Sequence, residues 1–168
     1  ATAARLMGAP AAPIRRAVAA FHGIENVLER VAVIGGVAFF NDTKATNVDA
    51  ALKSIESFAT PVLVILGGRY KGGDFAALAP ALARHGKAVL AIGEARPRIA
   101  AALSPTLPVV DCGSLGEAVA EGFRRASPGD TVLLAPGCSS FDMFADYAAR
   151  GRAFKDEVHA LAAREGNR

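Results

Sequence analysis

From Pro61 onward, hydrophobic and polar positions fall into a repeating two-part pattern. Short segments that are apolar throughout, Pro61–Leu66, Lys87–Ile92, Pro108–Val110 and Thr131–Ala135, alternate with longer stretches whose apolar residues recur at helical spacing. Those stretches run over Asp74–Arg84, Glu94–Leu103, Ser114–Arg125 and Phe141–Arg164. Gly67-Gly68 ends the first of the strands, Gly86 closes a helix, and Ser127-Pro128-Gly129-Asp130 forms a turn before the last strand. Strands without a polar face belong in a parallel sheet covered on both sides, and the intervening helices supply the cover. Upstream the pattern differs. An extended apolar segment at 27–34 meets Val37–Phe40 across Gly35-Gly36, which predicts a hairpin. A helix over 47–58 follows, with apolar residues at 48, 51, 52, 55 and 58. Thr46 and Asp49 have the capping-box spacing for its start. Two Ala-rich helical pieces open the chain: Ala1–Met7, ended by Gly8, and Pro13–Phe21. The pattern as a whole predicts an α/β fold. It is a Rossmann-like three-layer sandwich on a six-stranded, mostly parallel sheet, with one antiparallel strand from the initial hairpin.

Composition narrows the class without naming a function. The 168 residues amount to one domain or slightly more, and with 52% hydrophobic and 21% charged residues they can bury a large core. A net charge of +3, scattered rather than striped, indicates no nucleic-acid partner. The apolar runs are too short to span a bilayer, so no membrane partner is expected. The chain shows no signal peptide and opens on Ala rather than Met, as a processed or partial chain does; a cytoplasmic location is the expectation. Cys112 and Cys138 lack a metal-ligand spacing and read as free thiols. His22, His85 and His159 form no cluster and suit solvated or core-edge positions. Nothing in the composition indicates an oligomeric state.

Three strand ends carry candidate chemistry. After Val37–Phe40 the chain reads Asn41-Asp42-Thr43-Lys44-Ala45-Thr46-Asn47, crowding a carboxylate, a hydroxyl and an ammonium onto one turn. An open parallel sheet holds ligands at such a place, between a strand's carboxyl end and a helix N-terminus. On pattern alone these residues are as readily simple turn formers. Gly67-Gly68-Arg69-Tyr70-Lys71-Gly72-Gly73-Asp74 combines four glycines with two cations. It is no Walker A loop, because Gly73-Asp74 stand where Lys and Ser or Thr are needed; a flexible surface loop is the alternative. The third is Leu133-Leu134-Ala135-Pro136-Gly137-Cys138-Ser139-Ser140-Phe141-Asp142-Met143-Phe144, in which Ser140 can cap the long helix and leave its first N–H groups facing an anion. A nucleophile elbow is not supported, since G-x-S-x-G is absent. Cys138 fits a small buried residue better than a reactive thiol.

The heptamer at 41–47 resembles the N-D-S-K-A-T-N signature of the D-glutamate-adding ligases of peptidoglycan synthesis. Six of seven positions agree, and Thr43 replaces Ser. The glycine loop is similar to that family's G-G-x-D-K-G, with Tyr70 in place of Asp. The third segment is similar to its L-L-S-P-A-C-A-S-x-D-x-F. Asn26-Val27 departs from a His-Arg pair that the family carries before the first strand, whose arginine contacts the nucleotide. The resemblance spans roughly residues 1–165: 1–24 as the last helices of a central ATP-binding domain, 25–168 as a C-terminal D-glutamate-binding domain.

What the resemblance implies is an ATP-dependent acid–amino-acid ligase serving cell-wall synthesis, and with it cell shape and division. It joins D-glutamate to UDP-N-acetylmuramoyl-L-alanine. Thr46 and Lys71 would hold one carboxylate of D-glutamate, and Ser140, with Phe141 and Tyr147, the other. Lys44 would neutralise charge at the reacting centre as the catalytic residue, and Asp42 would face the ATP ribose. ATP and Mg²⁺ belong to the intact enzyme. No bound cofactor and no metal ligand are expected in this chain, which is expected to be inactive without the UDP-binding and P-loop domains. Two alternatives stay open: a stand-alone small-anion binding module, and a sister ligase of the folylpolyglutamate synthetase type.

Overall fold

The computed structural model describes residues 1–21 and 23–166; His22 lies outside them. Strands β1 (Glu29–Ile34), β2 (Val37–Asn41), β3 (Val62–Gly67), β4 (Gly86–Ile92), β5 (Val109–Asp111) and β6 (Thr131–Leu134) form one sheet in the order β1-β2-β6-β3-β4-β5. β1 and β2 pair antiparallel through the Gly35-Gly36 turn, and every other neighbouring pair is parallel. The predicted α/β architecture is therefore the observed one. Gly36 sits at φ +80°, and a side chain there would also press into Pro128.

The central strand β3 shows why the pattern reads as a doubly covered sheet: all six of its residues are buried. Val62, Val64 and Leu66 face the layer made by α3 (Val48–Glu56), α4 (Ala79–His85) and α5 (Arg96–Leu103). Leu63 and Ile65 face the layer made by α6 (Leu115–Arg125) and α7 (Tyr147–Gly166). Val48, Ala51 and Ile55 are the buried stripe of α3, with Leu52 and Phe58 packed at its margin. Ile99 and Leu103 anchor α5, while Phe154, Val158 and Leu161 anchor α7.

Several element boundaries differ from those the pattern predicts. Asn47, not Thr46, caps α3: its side chain accepts from the Ala50 N–H at 2.8 Å. The predicted 74–84 helix begins as a 3₁₀ turn, Phe75–Leu78, capped by Asp74, before α4 starts. Gly86 ends α4 with an extended backbone and is already the first residue of β4. The first two helices are α1 (Thr2–Leu6) and α2 (Ala11–Ala19), so α2 starts ahead of Pro13.

The largest correction concerns α7, which begins at Tyr147 rather than near Phe141. Ser140 does not cap it. Residues 141–146 instead turn back on Ser140, whose carbonyl accepts from Met143 and Phe144, and Asp146 accepts from the Ala149 N–H at 2.6 Å.

Helices α1 and α2 contribute no buried residue, and Leu6, Met7, Val18, Phe21 and Ile24 are exposed. No described helix is long and apolar enough to cross a membrane.

Candidate functional site

Because β2, β6 and β3 are parallel neighbours, the loops that follow them emerge on one edge, in the spatial order 42–47, 135–146 and 68–74. Backbone hydrogen bonds stitch the loops together. Gly137 N–H donates to Ala45 O at 2.8 Å, Gly67 N–H to Pro136 O at 2.8 Å, and Arg69 N–H to Ser139 O at 2.9 Å. Gly68, at φ +128°, is needed for the last contact, since a Cβ there would lie 2.2 Å from Ser139 O. The three predicted loops converge.

Arg150, which sequence reading passed over, locks two of the loops. It is 1% exposed and faces inward on α7, one turn before Phe154. Its Nε donates to Thr43 Oγ1 at 3.0 Å, its Nη2 to Thr43 O at 3.0 Å, and both terminal nitrogens to Cys138 O at 3.2 Å. Thr43 Oγ1 in turn donates to Tyr147 O at 2.9 Å. Burial pulls the guanidinium down to about 10, which leaves it charged at neutral pH. The signal lay in the spacing: 150, 154 and 158 form an i, i+4, i+8 stripe with a cation in it.

Asn26 and Asn41 form a second buried polar link missed at the sequence level. Asn41 Nδ2 donates to Asn26 Oδ1 at 3.0 Å and to Glu29 Oε2 at 3.1 Å, while Asn26 O accepts from Lys44 N–H at 3.3 Å. Asn26 sits at φ 67°, a conformation Asn tolerates better than most residues. Thus Asn26, where the resemblance would place a histidine, joins β1 to the Lys44 loop.

The predicted site residues divide into two groups. Asp42 is buried; its carboxylate accepts from Leu28 N–H at 3.2 Å and from the Ser54 hydroxyl. It lines an open cleft of about 430 Å³ with Val27, Leu28, Lys44, Lys53 and Ser54. Thr46, Lys71, Ser140, Phe141 and Tyr147 lie on the converging loops. Lys44 and Lys71 are exposed, and neither ammonium has an acidic partner among the described residues. Arg69, by contrast, pairs with Glu94 at 3.3 Å. The Thr46 and Ser140 hydroxyls make no hydrogen bond among the described residues, although Ser140 is only 2% exposed. Phe141 and Tyr147 present exposed rings.

Cys138 is fully buried beneath the middle loop. Burial pushes its thiol up to about 12, against the opposing pull of Arg150 and Lys71, and Cys112 is likewise raised to about 11. Both cysteines are free and in the thiol form at neutral pH. Among the described residues no three His, Cys, Asp or Glu side chains come together as a metal cluster. His85 is half-buried and His159 exposed.

A mostly parallel sheet with converging polar loops at its carboxyl edge defines a Rossmann-like α/β domain. The chain belongs to the family described as "Mur ligase, glutamate ligase domain", whose model matches residues 28–138. It is 51% identical over 158 residues to a UDP-N-acetylmuramoylalanine–D-glutamate ligase of Acidobacterium capsulatum, covering 94% of this chain and 34% of that protein. Similarly named proteins of Syntrophus aciditrophicus and Solibacter usitatus are 46% and 47% identical, over 95% and 96% of this chain and 35% and 36% of their own lengths. The chain therefore spans about a third of the length of these curated relatives. Among solved structures, a domain assigned to a UDP-N-acetylmuramate:L-alanyl-gamma-D-glutamyl-meso-diaminopimelate ligase of Haemophilus ducreyi shares the fold. Its TM-score is 0.55 at 18% identity, over 82% of this chain and 98% of that one.

Proposed function

We propose that the chain is the D-glutamate-binding part of an ATP-dependent ligase that adds D-glutamate to UDP-N-acetylmuramoyl-L-alanine in peptidoglycan synthesis. The observation that carries the reading is the convergence, in a member of this family, of two unpaired ammoniums and two unengaged hydroxyls on one loop edge. A dicarboxylate needs such donors. Thr46 and Lys71 take one carboxylate of D-glutamate; Ser140, with Phe141 and Tyr147, takes the other. The capping role of Asn47 leaves Thr46 available for this.

In the reaction, a phosphoryl group from ATP activates the alanyl carboxylate. The D-glutamate amine attacks that carbonyl, and phosphate leaves from the tetrahedral intermediate. Lys44 neutralises the developing negative charge. Asp42, on the wall of the 430 Å³ cleft, accepts from a ribose hydroxyl of the nucleotide. Phosphates and Mg²⁺ are assigned to protein outside this chain, because no phosphate loop or acidic cluster occurs among the described residues. Residues 1–24 belong with the preceding ATP-binding domain and 25–168 with the D-glutamate domain. That α1 and α2 bury no residue and leave Leu6 and Val18 exposed supports that division. A cytoplasmic location is part of the same proposal.

The test is a backbone NMR titration of the 168-residue chain with D-glutamate. Shifts are expected at Thr46, Lys71 and Ser140. Lys71→Ala should weaken binding roughly ten- to a hundredfold, the worth of a charge-assisted hydrogen bond of about 1.5–3 kcal/mol. Shifts confined elsewhere, or an unchanged affinity in Lys71→Ala, would sink the assignment. The chain alone should form no amide bond, because positioning both substrates supplies about 7–11 kcal/mol of barrier lowering and needs the other domains. Amide synthesis by the isolated chain would overturn the division of labour.

A further inference from the structure

The loop that carries Lys71 contains four glycines in the left-handed half of backbone space: Gly67, Gly68, Gly72 and Gly73, at φ +131°, +128°, +103° and +98°. Such a segment is costly to order, since glycine loses more conformational freedom than any other residue. Gly67 and Gly68 are held by the sheet and by Ser139. The tip is held by Tyr70. Its hydroxyl donates to Gly73 O at 2.6 Å, closing the loop on itself around Lys71. Its ring lies 5.7 Å from that of Phe75, itself 3% exposed and part of the core. On its other contact the ring meets the Arg98 guanidinium of α5, 5.0 Å from the centroid.

Three ties thus run from one side chain to the loop backbone, the core and a neighbouring helix. This is the position at which the chain departs from the aspartate of the resembling loop. A carboxylate could accept hydrogen bonds or pair with the guanidinium there but could not stack on Phe75.

We infer that Tyr70 is a positioning residue that pre-organises the glycine loop and so places the Lys71 ammonium for the D-glutamate carboxylate. The inference rests on the reading of Lys71 as a D-glutamate ligand. Ordering the loop in advance removes an entropic cost that binding would otherwise bear.

The experiment compares the 168-residue chain with Tyr70→Ala, Tyr70→Phe and Lys71→Ala, measuring heteronuclear NOEs along 69–74 and D-glutamate affinity by NMR. Tyr70→Ala should lower the NOEs of residues 70–73 and weaken D-glutamate about three- to tenfold, with the thermal midpoint little changed because the ring is a surface group. Tyr70→Phe keeps both ring contacts and loses only the hydroxyl bond, so it should stay within about threefold of the parent. Loop NOEs that do not fall in Tyr70→Ala overturn the clamp. Lowered NOEs with unchanged affinity, where Lys71→Ala does weaken binding, overturn the positioning role alone. Should Lys71→Ala leave affinity unchanged, the D-glutamate reading fails and the positioning role fails with it.

Discussion

At the scale of single residues, the site is framed by groups that never face solvent. Arg150 satisfies Thr43 O and Cys138 O from below, and among the described residues it makes no ion pair, Asp142 acting on it only at longer range. A buried charge held by two carbonyls and a hydroxyl is expensive unless its geometry is met in full. Lysine keeps the charge but not the planar fork. Arg150→Lys should therefore leave one loop carbonyl or both without a donor, at about 1–3 kcal/mol for each buried group. Urea denaturation reads the loss; a change under about 0.5 kcal/mol, typical of an exposed site, would remove the clamp role. The heptamer showed the polar side chains to watch, Asp42, Lys44 and Thr46. It did not show that Thr43 faces inward, because a hydroxyl in a turn looks the same whether it meets water or a guanidinium.

Elements were legible in kind and less so in their ends. All six strands lie where the apolar runs place them; in β3 and β6, buried at every residue, cover on both faces is written into the whole run. Helix starts depend on which of several adjacent cap-forming side chains reaches back to an N–H, and that is decided by the backbone's entry angle. For α3 the contest between Thr46 and Asn47 went to Asn47, whose extended backbone at φ −142° suits a cap. Asn47→Ala should cost about 1 kcal/mol in chemical denaturation. Thr46→Ala should cost less than about 0.5 kcal/mol, yet weaken D-glutamate. The reverse order of stabilities would restore the Thr46–Asp49 capping box. For α7, six residues separate the predicted start from Tyr147, because the chain turns back on Ser140 before the helix begins. Because α7 starts at Tyr147, the proposed role of Ser140 rests on its hydroxyl and the loop backbone rather than on capping that helix.

For the molecule as a whole, long-range contacts fasten the end of the sheet opposite the site. Lys87 at the start of β4 reaches Asp130 at 2.6 Å, and Asp130 also accepts from Ser127 N–H at 2.7 Å. Burial alone would raise the Asp130 carboxyl, but those two donors outweigh it and hold the group below its ordinary 3.8. A carboxyl lowered on folding stabilises the fold above its unfolded pKa, and that contribution disappears as pH falls through the folded value. Asp130→Asn should therefore lower the urea midpoint at about pH 7 and flatten its fall on acidification below about pH 4. An unchanged acid slope would discount the pair. The sequence by itself determined the layers, the hairpin and the three chemically marked strand ends, because periodicity and glycine punctuation are local properties of the chain. Folding alone sets β6 between β2 and β3, so that the middle loop is shared by the other two, and buries Arg150 as the clamp between the 42–47 and 135–146 loops. Strand order and buried hydrogen bonds join residues up to 107 positions apart, and no local pattern carries that information.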